Sequence, residues 1–234
     1  FGIGNSLDEY HGELNFYQDG GIIINANGMK GIGIGSGLGG VINIKRGHYE
    51  FDMKGQEGAC IGSVNGDSEL FIEYCDMDIY SGISNGTIIG SVNGDADIKL
   101  ENISAKLQGA GNVITGIGTI AGNSCMVRLE NVNISSNIRA KECYGIGCRA
   151  GRTDIYIGYA AVKSVVQGKS AVAFGNSVMS AKLYCSNADV GTNAVTEFNS
   201  DIGALEKNIQ LENGRAEFIL NGQEVKRQIF AARL

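Results

Sequence analysis

The chain has 234 residues, a formal net charge of −6, 43% apolar residues, 36 glycines and neither proline nor tryptophan. The acidic balance excludes the basic stripe that a nucleic-acid binder needs to neutralise phosphates, and no apolar run is long enough for a membrane-spanning helix. An apolar fraction of this size without proline also excludes a low-complexity tail and points to one continuous core.

Phe1 stands inside what reads as a strand, with no starting Met and no signal-peptide pattern, so an upstream domain is expected. Ile3-Gly4-Asn5 then introduces a phrase that returns as Ile34-Gly35-Ser36, Ile61-Gly62-Ser63, Ile89-Gly90-Ser91, Ile117-Gly118-Thr119, Ile146-Gly147-Cys148 and Phe174-Gly175-Asn176. A period of about 28 residues marks a unit that buries its apolar face only by stacking on copies of itself. Gly31-Ile32-Gly33-Ile34-Gly35-Ser36-Gly37 has the look of a phosphate loop, but strand pattern follows it where a dinucleotide fingerprint requires a helix.

Within each repeat the apolar residues alternate with period two, as in strands. After the Ile-Gly phrase comes a turn such as Val64-Asn65-Gly66-Asp67 or Val92-Asn93-Gly94-Asp95. A strand follows with Leu70 and Ile72, Ile98 and Leu100, Val127 and Leu129, Ile155 and Ile157, or Leu183 and Cys185 turned inward. The chain bends, and another strand begins with Cys75, Met77 and Ile79, with Ile103, Ala105 and Leu107, or with Val132 and Ile134. Three short strands per coil, each paired with its equivalent one coil away, make an all-β, right-handed parallel β-helix (β-solenoid) of about seven coils, a rod of about 30 Å at strand spacing. Residues 1–200 form the repeats. Beyond them Leu211-Glu212-Asn213-Gly214 and Leu220-Asn221-Gly222-Gln223 read as hairpin turns, and residues 201–234 are expected to cap the open last coil.

The recurring Ile-Gly-Ser phrases and short Ile-x-Ile strands over residues 1–200 resemble the right-handed parallel β-helix (pectin lyase-like) superfamily, especially its glycine-rich bacterial repeat proteins. That resemblance implies polysaccharide as ligand class, since the superfamily includes pectate lyases, polygalacturonases, surface adhesins and carbohydrate-binding modules. The acidic and Gly-His-Gly sets of polygalacturonases are missing, as are the calcium-binding Asp and catalytic Arg arrangement of pectate lyases.

Two outward columns are the candidate ligand-binding residues. Phe71, Lys99, Arg128, Tyr156 and Tyr184 fall on one line of the second strand, and rings beside charges suit a sugar face, although aromatics are also good strand residues. Glu73, Glu101 and Glu130 stack two positions later, where like charges repel unless a cation or the neighbouring Lys99 and Arg128 neutralise them. Asp67 and Asp95 fit turn chemistry better than a calcium repeat, and Ser36, Ser63, Ser91 and Thr119 fit a hydroxyl ladder, because His11 and His48 are the only histidines and build no triad with them. Six cysteines at 60, 75, 125, 143, 148 and 185 match no zinc spacing and read as free core thiols, with Cys143 and Cys148 the pair to check. Asn85, Asn102 and Asn133 head glycosylation-like triplets inside the repeat.

The resulting expectation is a non-catalytic binding or scaffold module for a polysaccharide or cell-surface partner, without cofactor or metal. Two alternatives stay open: a lyase- or hydrolase-like carbohydrate enzyme drawing on Glu73, Glu101, Asp97, Lys99 and Arg128, and a cytoplasmic sensor or scaffold fused to an upstream regulatory domain. Free thiols favour a reducing compartment and the architecture favours the cell surface, so location is left open.

Overall fold

A computed structural model describes residues 2–10, 12–178, 181–197 and 209–230, with side chains as far as residue 224. The fold is an all-β parallel solenoid of about seven turns, and no helix is long and apolar enough to cross a membrane among the described residues. Thirteen strands form one continuous sheet: β1 (Ile3–Gly4), β2 (Glu13–Tyr17), β3 (Gly21–Ser36), β4 (Gly40–Ser63), β5 (Ser68–Ser91), β6 (Ala96–Glu101), β7 (Ser104–Glu130), β8 (Asn133–Gly158), β9 (Ala161–Gly168), β10 (Ser170–Gly175), β11 (Ala181–Thr196), β12 (Ile209–Leu220) and β13 (Gln223–Phe230). Several far exceed the three to ten residues of an ordinary strand, β7 reaching 27. The reason is the stacking: residues at a bend still face their equivalents one coil on, so the ladder runs through corners that would end a strand in an open sheet.

The expected inward columns are in place. Leu70 pairs with Ile98, Ile98 with Val127, Val127 with Ile155 and Ile155 with Leu183, all of them buried. A single apolar cluster runs along the rod from Ile24 to Phe218, and the turn valines Val64 and Val92 stack with Ile32 and Ile120 in a second, smaller one. Gly35, Gly62, Gly90, Gly118 and Gly147 form the column of the Ile-Gly phrase. Each has φ between +132° and +138°, and a Cβ there would come within about 2 Å of the next glycine's carbonyl oxygen. Positive φ and contact with neighbouring backbone together exclude every other residue from this corner.

A second corner is built by Arg46, Tyr74, Asn102, Asn131, Tyr159, Asn187 and Asn213, all left-handed with φ between 46° and 67°. The asparagines link coils directly: Asn131 Nδ2 donates to Asn102 Oδ1, and Asn213 Nδ2 to Asn187 Oδ1. Asn213-Gly214 therefore makes a solenoid corner where a hairpin turn was expected. β12 lies parallel on β11 from Leu183↔Ile209 to Ala194↔Leu220, so stacking continues beyond residue 200 without the Ile-Gly phrase. Asn221-Gly222 does turn the chain, both residues at positive φ, and sends β13 back antiparallel along β12. Residues 201–208 and 231–234 of the expected cap lie outside the described residues.

Candidate functional site

The face that follows the Val-Asn-Gly-Asp turn carries both candidate columns. Alternation sends Leu70, Ile98, Val127, Ile155 and Leu183 inward, which turns the residue after each of them outward. Phe71, Lys99, Arg128, Tyr156 and Tyr184 accordingly stand in register on five successive coils. Glu73, Glu101 and Glu130 stack beside them, and the column continues as Gly158 and Ser186.

Gly158 makes room for its neighbour in the column. The Glu130 carboxylate lies over its bare backbone, beside an open groove of about 750 Å³ lined by Lys99, Glu101, Arg128, Glu130, Tyr156 and Tyr184 together with Met126, Gly158, Tyr159 and Ser186. Six of the eight expected residues thus meet in one depression. Phe71 and Glu73 lie outside it, one coil toward the N-terminus. The rings of Tyr156 and Tyr184 are 6.4 Å apart at their centroids and tilted by 48°. Tyr184 Oη donates to Glu212 Oε2 at 2.7 Å, and this acceptor raises the phenol above its ordinary pKa. Tyr156 and Tyr159 are 43% and 64% exposed, enough ring surface to accept a flat apolar partner.

The charges pair differently from the sequence expectation. Lys45 meets Glu73 at 3.4 Å and Lys99 meets Glu101 at 2.6 Å, but Arg128 turns away from the glutamate column and binds Asp97 at 2.6 Å. Glu130 is left without an ion pair or side-chain hydrogen bond among the described residues, its carboxylate lying over the bare backbone of Gly158. Hydrogen bonding to Glu101 raises the pKa of Lys99, so its ammonium is held charged and is unsuited to act as a base. Among the described residues no group of three or more His, Cys, Asp or Glu side chains converges as a metal site would need.

The remaining candidates have structural roles. Asp67 Oδ1 accepts the backbone N–H of Asp95 at 2.8 Å, and Asp95 Oδ1 those of Asn123 and Ser124 at 2.7 and 3.0 Å, so each aspartate caps the turn above it. In the hydroxyl column Ser63 Oγ bonds Ser91 Oγ at 3.1 Å, and Ser91 and Thr119 donate to the turn carbonyls of Gly66 and Gly94, both at 2.7 Å. His48 pairs with Glu50 at 2.9 Å, whereas His11 lies outside the described residues. The Gly31 to Gly37 run is strand almost throughout. All six cysteines are free and buried.

Tyr159, Gly158, Ser186 and Met126 were not singled out from the sequence. Tyr159 was detectable in principle, because it occupies the corner column whose other members are mostly asparagine. Gly158 was not, since the room it makes depends on what stands above and below. No family model, curated protein or solved structure matches this chain. The parallel solenoid thus stands without a matching relative, and the likeness to the pectin lyase-like superfamily rests on the sequence phrases alone.

Proposed function

We propose that the protein is a non-catalytic recognition module that binds a polysaccharide along the groove centred on Tyr156 and Tyr184. The observation carrying this reading is the conjunction of two neighbouring tyrosine rings with an unpaired carboxylate, Glu130, in an open depression. Rings offer flat apolar area to pyranose faces, and carboxylates and guanidinium groups orient hydroxyls by charge-assisted hydrogen bonds. The depression lies on strands paired to a coil on each side, so binding requires little ordering of backbone. The enzyme alternative is less well supported, because Glu101 and Asp97 are engaged by Lys99 and Arg128 and the lysine is kept protonated.

The test is calorimetric titration and an immobilised-polysaccharide assay with xylan, dextran, β-glucan and polygalacturonate. At least one should bind, and Tyr156→Ala combined with Tyr184→Ala should weaken it about tenfold or more while circular dichroism is unchanged. Absence of binding across the panel, or binding indifferent to the double substitution, rejects the reading.

A further inference from the structure

Across the corner made by Tyr159 and Asn187 lies a second depression of about 480 Å³. Its floor is Gly191 of β11, in register between Lys163 of β9 and Glu217 of β12. This glycine differs from those of the corner columns. Its φ is not in the left-handed region, and a Cβ added to it would meet no atom within 4 Å. Neither backbone conformation nor crowding asks for glycine here, and glycine within a strand is less stable than alanine. What its absence of a side chain does is leave the sheet surface open.

Around that opening Arg215 pairs with Glu217 at 3.3 Å, while two exposed charges and one buried oxygen are left over. The side chains of Lys163 and Asp189 have no ion-pair or hydrogen-bond partner among the described residues, and the side-chain oxygen of Asn193 is buried without one. A cation, an anion and an orphan acceptor at one groove call for a ligand that both donates and accepts hydrogen bonds, as a hydroxyl does. The two depressions nearly touch. Gly158 of the first is separated from Ala161 of the second only by Tyr159 and Ala160, and Ser186 from Asp189 only by Asn187 and Ala188. Among the lining residues formal charge cancels in the second groove, Lys163 and Arg215 against Asp189 and Glu217, whereas Asp97 on Arg128 and Glu212 on Tyr184 leave the surroundings of the first net negative beside Lys99, Glu101 and Glu130.

Resting on the polysaccharide reading of the first groove, we infer that the Gly191 depression is a second subsite for the same glycan, which bends around the Tyr159 corner, and that the glycan is neutral. A net negative first groove repels a uronate chain and a charge-balanced second one gives it no net attraction, whereas a neutral polyol satisfies both signs of group.

The experiment compares trisaccharide and octasaccharide fragments of xylan, dextran and β-glucan, with polygalacturonate fragments of the same lengths, on wild type, on Gly191→Leu and on the Tyr156→Ala, Tyr184→Ala double variant. Wild type should hold a neutral octasaccharide about tenfold tighter than the trisaccharide. Gly191→Leu should remove that advantage, leave trisaccharide binding unchanged and keep or raise the melting temperature; the tyrosine double variant should weaken both lengths. Equal affinity for the two lengths, an octasaccharide indifferent to Gly191→Leu, or unfolding of that variant overturns the second subsite while leaving the first groove standing. Tighter binding of polygalacturonate overturns the neutral ligand class. If no fragment binds wild type, the second subsite and the polysaccharide reading fall together.

Discussion

At the residue scale, two kinds of glycine govern this molecule and they behave oppositely. Gly90 has φ of +135°, and a Cβ on it would sit 1.9 Å from the carbonyl oxygen of Gly118. Gly90→Ala must therefore either strain the corner or push two coils apart, and should destabilise the fold by at least about 2 kcal/mol in urea titrations. An unchanged midpoint would show that the corner yields without cost. Gly158 and Gly191, in contrast, lie on outward columns and shape the surface. All these glycines look alike in the sequence, but only those of the Ile-Gly phrase repeat at the coil period, and that repetition is what made their structural role legible.

At the scale of the element, the turn between the Ile-Gly corner and the following strand is held by its neighbour and not by itself alone. Asp95 receives the backbone N–H groups of Asn123 and Ser124, one coil above. Asp95→Ala leaves those donors without their carboxylate and should lower stability by about 1–2 kcal/mol, with Asp95→Asn recovering part of the loss. If Asp95→Ala is neutral in chemical denaturation, the aspartate column is solvated and does not support the turns. The other element-scale finding is that β12 is a further coil. Asn213-Gly214 has the composition of a hairpin turn, and local chemistry cannot distinguish that from a left-handed corner, because both want positive φ. Pairing with β11 decides between them, through contacts to residues 26 positions earlier.

At the scale of the whole molecule, the buried cysteines tie stability to alkaline pH. Burial pushes the thiols of Cys60, Cys75 and Cys185 from an ordinary value of 9.0 up to about 12. An unfolded chain releases these protons near pH 9 and the folded rod keeps them, so their contribution is complete below pH 9 and is lost as pH rises toward 12. The urea midpoint should fall between about pH 8 and about pH 10.5, and Cys60→Ala should reduce that fall, although removing the sulfur lowers stability at both values. A pH-independent midpoint would mean that the thiols ionise as readily in the folded state as in the unfolded chain. The continuous apolar cluster makes the rod respond as neighbouring coils coupled one to the next.

Period-two alternation and a coil-length repeat were enough, without coordinates, to establish the solenoid, the inward columns and which side chains share an outward line. Both are properties of each residue relative to its own strand, and a slip by one position would expose the whole apolar set. The sequence could place Arg128 beside Glu130 but could not say that Arg128 would choose Asp97, since an exposed ion pair is settled by small differences among several partners within reach. Nor could it find either groove. A depression exists where a missing side chain meets taller neighbours above, below and around a corner, and that relation among separate coils is decided only when the chain is wound.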